Sequence, residues 1–117
     1  MNNPFLSPPS AWMYTLTATR PAIKVDGPTT EEAEIVARHW AHLQGLEAQG
    51  RLIFAGRTLD LGDAGFASVI FRAASEAEAR AVMESDPGVQ GGVFRPHLHP
   101  YQALLPDRLA ASSSPRG

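Results

Sequence analysis

Between Thr29 and Gly50 the chain carries one unbroken helical signature, and no other segment constrains the fold as much. Thr29 and Glu32 stand at capping-box spacing, so the hydroxyl can accept an early helical N–H while the carboxylate reaches back to the cap amide. Ile35, Val36, His39, Trp40, Leu43 and Leu46 recur at helical steps. That spacing predicts a helix over about 30–49 with one buried stripe. Gly50 supplies a left-handed stop. Residues 51–57 then read as a strand closing on Gly56 and Arg57.

The remaining elements arrange themselves around that helix. Residues 12–19 are aromatic and β-branched and suit a first strand. Pro21, Gly27 and Pro28 make 20–28 a loop. Residues 65–73 form a third strand after the Gly- and Asp-bearing loop 58–64. Ser75 and Glu78 repeat the capping spacing and start a helix over 76–85. Asp86-Pro87 opens a further short turn, since Asp suits an N-cap and Pro the first helical position. Residues 93–101 close the order as a fourth strand. The class is α+β, with the ferredoxin-like βαββαβ plan and an antiparallel four-stranded sheet carrying both helices on one face. The expected organisation is an extended lead-in over 1–11, one domain over 12–105 and a small, polar C-terminal tail over 106–117.

Alternation in the third strand puts Phe66, Ser68 and Ile70 on one side and Ala67, Val69 and Phe71 on the other. Neither side is simply polar, so the helix-free face needs a cover, and a second copy is the simplest one. A homodimer is the expected assembly. Net charge is −2 with mixed signs, which leaves no basic stripe for nucleic acid. No apolar run reaches the roughly 18–20 residues that span a bilayer, and the start lacks the pattern of a secretory signal, so the expected location is cytoplasmic. With no cysteine, disulfides, thiol nucleophiles and thiolate metal sites are all out.

A helix places His39 on the inward edge of the apolar stripe, where an imidazole can serve as general base or acid. Asp86 has a structural role as an N-cap; if that were all it did, Asp86→Ala would cost about 1 kcal/mol and Asn would be tolerated. Its second oxygen could still orient the His39 ring. Arg57, at a strand end, could clamp an anionic substrate, and Gly56 leaves room for close approach. His97 and His99 share one side of the last strand with Arg95 and Tyr101. Two histidines beside an arginine, with no third ligand, make a weak metal platform, so no metal is expected. His42 sits at the margin of the His39 cleft or on the surface. No phosphate loop, nucleophile elbow or H-E-x-x-H motif is present.

The run from His39 to Arg57, the strand 66–73, Ser75 to Ala79, Asp86-Pro87 and the closing His99-Pro100-Tyr101 together resemble the YCII-related (YciI-like) family over about residues 13–105. The resemblance implies a ferredoxin-like domain of the dimeric α/β barrel group and an active-site His/Asp pair, here His39 and Asp86. A few relatives remove chloride from chlorinated hydroxyquinone-type rings, and the wider group includes isomerases and monooxygenases. Two functions follow as expectations. One is a cofactor-independent lyase, isomerase or dehalogenase using the His39/Asp86 dyad on a small anionic ligand. The other is a non-catalytic dimeric module that binds a small ligand or supports a partner, with both residues serving the fold.

Overall fold

The computed structural model describes residues 8–105, so most of the lead-in and all of the tail lie outside the described residues. Strand β1 (Ala11–Ala18) leads into a single helical turn, α1 (Ile23–Asp26), and then into the long helix α2 (Thr30–Ala48). Strands β2 (Leu52–Arg57) and β3 (Ala67–Arg72) follow, then α3 (Glu76–Glu84), the short α4 (Pro87–Gln90) and β4 (Phe94–Tyr101). The sheet order is β2-β3-β1-β4 with every pair antiparallel. This is the ferredoxin-like plan.

Local chemistry sets the boundaries. Thr29 accepts from the Glu32 amide and Glu32 accepts from the Thr29 amide, completing the capping box. Arg20, just after β1, grips the same Glu32 with Nε at 2.9 Å and Nη2 at 2.6 Å, which ties the start of α2 to the end of the strand. At the other end Gly50 has φ 73°, and Arg51 N–H donates to the Leu46 carbonyl while Gly50 N–H donates to that of Glu47. That pair of bonds is the Schellman arrangement, which only an αL residue closes without strain. Ser75 caps α3 by accepting from the Glu78 amide, but the reciprocal half of the box is absent there because the Glu78 carboxylate pairs with Arg51 at 2.8 Å.

The core lies between one sheet face and the helices. Trp12, Tyr14 and Leu16 of β1, with Val69 and Phe71 of β3, meet Leu43 and Leu46 of α2 and Ala79, Val82 and Met83 of α3. Each large apolar side chain removed from water here contributes about 1.5–3 kcal/mol. Two expectations need correction. Residues 20–28 are not all loop, since 23–26 form α1. Trp40 is not part of the buried stripe: it is 60% exposed, because α2 stands away from β2 at its N-terminal half and leaves a cavity where a core would otherwise continue.

The register explains which residues face that cavity. Leu52 pairs with Phe71, but Phe54 pairs with Ile70, so one extra residue is accommodated at Ile53. A bulge of this kind reverses the alternation beyond it. Ala55 and Arg57 therefore share the helix side with Val69 and Ala67, and Phe54 turns to the helix-free face with Ile70. On that face also lie Met13, Thr15, His97 and His99, paired across β1 and β4.

Candidate active site

Asp86 sits between α3 and α4, where its first job is local. As N-cap of α4 it accepts from the Gly88 amide through Oδ1 at 2.9 Å, with Pro87 at the first helical position. Its side chain is fully buried. A buried carboxylate is costly unless every lone pair finds a donor, and here two more donors arrive from other elements. Tyr14 of β1 donates its hydroxyl to Oδ2 at 2.7 Å, and His39 of α2 brings Nδ1 to 2.8 Å from Oδ1 and 2.9 Å from Oδ2. Tyr14 is itself sealed from solvent and packs edge-on against Phe71.

Burial drives the Asp86 carboxyl upward, but the bonds from His39 and Tyr14, the charge on His39 and the Gly88 amide outweigh it and hold the group below the usual carboxylate range. Burial raises the Tyr14 phenol, and the adjacent Asp86 charge and hydrogen bond add to the rise. At neutral pH the site is thus an ionised carboxylate and a protonated phenol. An ionised carboxylate only accepts, so the His39 nitrogen facing it must carry a proton. In the neutral ring the basic lone pair then belongs to Nε2.

His39 has 13% side-chain exposure, packs edge-on to Phe94 at 5.2 Å between ring centres, and lines a cavity of about 740 Å³. Leu16, Val36, Leu43, Val69 and Phe94 make its walls apolar, and Arg57 and Gly56 line it from β2. A Cβ at Gly56 would meet the Phe54 ring at 3.2 Å, so the absence of a side chain there spares a tight contact with Phe54 on the same face of β2. His39 and Arg57 therefore line one cavity with Asp86 behind His39 and out of reach of a ligand, whereas Gly56 lines it by its backbone alone, its Cβ position turning with Phe54 to the helix-free face.

The other histidines lie elsewhere. His42 does not line the cavity: its Nε2 is buried without a hydrogen-bond partner, and burial lowers its basicity, helped by nearby His39 and opposed by Asp86 and the Val82 carbonyl. His97 and His99 stand on the exposed strand β4 with ring centres 6.0 Å apart. Among the described residues no three potential ligands cluster to hold a metal ion. Sequence reasoning missed Tyr14 altogether, because its partner is 72 positions away and a tyrosine in a strand reads as core. Lys24, which lines the cavity from α1, was missed because residues 20–28 read as a loop.

The YCII-related domain matches residues 13–97. The chain belongs to that family. Among curated proteins none matches. Among solved structures it is similar to the 5-chloro-2-hydroxyhydroquinone dehydrochlorinase of Burkholderia phenoliruptrix AC1100, in complex with 2,5-dihydroxybenzoquinone, at 21% identity and a TM-score of 0.55. The similarity covers 78% of this chain and 93% of that one. At that identity the shared property is the fold, and YCII membership agrees with it. No helix among the described residues is long and apolar enough to cross a membrane.

Proposed function

We propose that this YCII-related chain is a cofactor-independent small-molecule enzyme that works by proton transfer, as a lyase, isomerase or dehalogenase. The observation that carries the reading is the 2.8 Å contact that fixes His39 Nδ1 on Asp86 while the ring lines a cavity. His39 Nε2 takes a proton from the ligand, the imidazolium that forms is stabilised by the carboxylate, and the same proton is returned or passed to the leaving side. Asp86 is a positioning residue, since it is sealed behind the ring. Arg57 holds an anionic group of the substrate.

Deuterium exchange at the ring C–H of 2,5-dihydroxybenzoquinone, followed by NMR in heavy water, tests the proton transfer; chloride release from 5-chloro-2-hydroxyhydroquinone tests the dehalogenase branch. Exchange should exceed the buffer rate and fall by about 10²–10⁴ in His39→Asn, the usual worth of a general base. Equal exchange in parent and His39→Asn would refute the assignment. The rival, a non-catalytic binding module, draws on the completeness of Asp86's structural bonding, and it requires no exchange by the parent.

The same reading takes the working form to be a homodimer. Phe54 is 60% exposed, and together with Met13 and Ile70 it gives the helix-free sheet face an apolar patch beside Thr15, His97 and His99. A second copy laid on that face would cover it. Light scattering at micromolar concentration should give twice the chain mass, and Phe54→Asp should give the single-chain mass. A parent that scatters as a monomer would overturn the pairing.

A further inference from the structure

Several of the large apolar side chains that remain exposed gather at one place. Trp40 at 60%, Leu59 at 82% and Leu61 at 67% exposure all surround the opening of the His39 cavity, one from α2 and two from the loop between β2 and β3. Exposed apolar surface concentrated around a concave site marks a place where something apolar is covered. Charge at the same opening is net positive. Lys24 of α1 and Arg57 of β2 both line it, against the single acid Asp60. Among the described residues Arg20, Arg51 and Arg80 each hold a carboxylate, and neither Lys24 nor Arg57 has one within ion-pair distance; Arg38, Arg72 and Arg95 are likewise without one but do not line the cavity.

Lys24 is also held in place. Its Nζ donates to the Gly62 carbonyl at 2.9 Å, and a Cβ on Gly65 would lie only 2.7 Å from that nitrogen. The ammonium is therefore seated on the loop with donors to spare, since an ammonium carries three. A pre-positioned cation with unused donors costs little side-chain entropy when an anion arrives.

Resting on the proposal that this cavity is the reaction site, we infer that it takes a planar apolar carboxylic acid, with the carboxylate held by Lys24 together with Arg57 and the ring covered by Trp40. A carboxylate fits better than a phosphate because the opening carries an excess of only one positive charge, Lys24 and Arg57 against Asp60. The apolar walls and the volume of about 740 Å³ suit a substituted ring and waste the space on a small polar acid. Lys24 would then be a second specificity-determining residue beside Arg57, and it comes from an element outside the strand and helix that carry the rest of the site.

Calorimetric titration of the full chain with naphthoate and with its uncharged counterpart naphthamide tests this directly. Naphthoate should bind at least tenfold more tightly. Lys24→Gln should remove that preference while leaving naphthamide affinity unchanged, Lys24→Arg should retain it, and Trp40→Ala should weaken both ligands alike. His39→Asn should bind naphthoate within about threefold of the parent even as it loses exchange, which separates the recognition claim from the catalytic one. Equal affinity for acid and amide in the parent, no binding of either at millimolar concentration, or equal loss of both ligands in Lys24→Gln would overturn the inference.

Discussion

Removing the Asp86 carboxylate distinguishes a surface cap from a buried hub. A cap alone is worth about 1 kcal/mol. Asp86→Ala in this fold instead abandons three donors: the Tyr14 hydroxyl, the Gly88 amide and His39 Nδ1. The first two belong to residues sealed from solvent, and each orphaned buried donor costs about 1–3 kcal/mol. His39 loses less, because its partly exposed ring can change tautomer or meet water. Against these losses stands the relief of no longer burying a charge. The balance is a destabilisation of about 3–5 kcal/mol, the range seen when one partner of a buried pair is deleted. Urea unfolding measures it, with an unchanged m-value confirming that the native compactness is kept. Tyr14→Phe alone should cost about 1.5–3 kcal/mol, as expected for a hydrogen bond to a charged group. Once Asp86 is already Ala, the same Tyr14 change should cost nearly nothing or gain stability, since it then removes an orphan. A loss of only about 1 kcal/mol for Asp86→Ala, with the two substitutions adding to within about 0.5 kcal/mol, would refute the hub and leave an ordinary cap.

Two further outcomes follow from the same geometry. Because the folded Asp86 carboxyl lies below its ordinary value of about 3.9, its contribution is complete above that pH and is lost as pH falls through the folded value. The difference in urea midpoint between parent and Asp86→Asn should therefore shrink as pH falls below about 4; a gap that stays constant into acid would contradict an ionised Asp86. Gly88→Ala should destabilise by about 1–3 kcal/mol, because the new Cβ would fall 2.5 Å from Phe94 Cδ2 and force the ring that packs on His39 to move. Thermal unfolding checks the stability, and the imidazole proton shifts of His39 should change with it; an unaltered melting temperature would show that the Phe94 ring has free room.

Much of this architecture was legible because it depends on neighbours in sequence. The Thr29–Glu32 box, the Gly50 stop and the Asp86 cap each follow from residues within a few positions of one another, and each forms as the spacing predicts. The strand order followed from element order, since few chain paths connect βαββαβ without crossing. What stayed hidden was long-range or environmental. Tyr14 reads as one more core aromatic until Asp86 arrives from the far end of the chain. Trp40 obeys the helical period yet remains exposed, because periodicity reports which face a residue occupies and not whether a neighbouring element comes close enough to cover it. Residues 23–26 form a turn of helix despite Pro21 and Gly27, which fix the edges of that turn without forbidding it.

The bulge at Ile53 is the clearest case of function resting on a feature with no sequence signature. Had β2 kept unbroken alternation from the Leu52–Phe71 pair, Phe54 and Gly56 would face the helices and Arg57 would turn to the opposite side of the sheet, away from His39. The extra residue reverses that phase. It places the small Ala55 and the cationic Arg57 on the cavity side while sending the Phe54 ring to the face proposed to meet a second copy. One inserted residue thus serves both the anion site and the apolar sheet face, and deleting Ile53 should spare both: Leu52–Phe71 and Phe54–Ile70 then become consecutive pairs, Arg57 and Phe54 keep their faces, and the chain should retain both its preference for naphthoate over naphthamide and its dimer mass in light scattering. Loss of either property in that deletion would mean that the pairing beyond Phe54 depends on Ile53 itself, and that absorbing it as a bulge is not what aims Arg57.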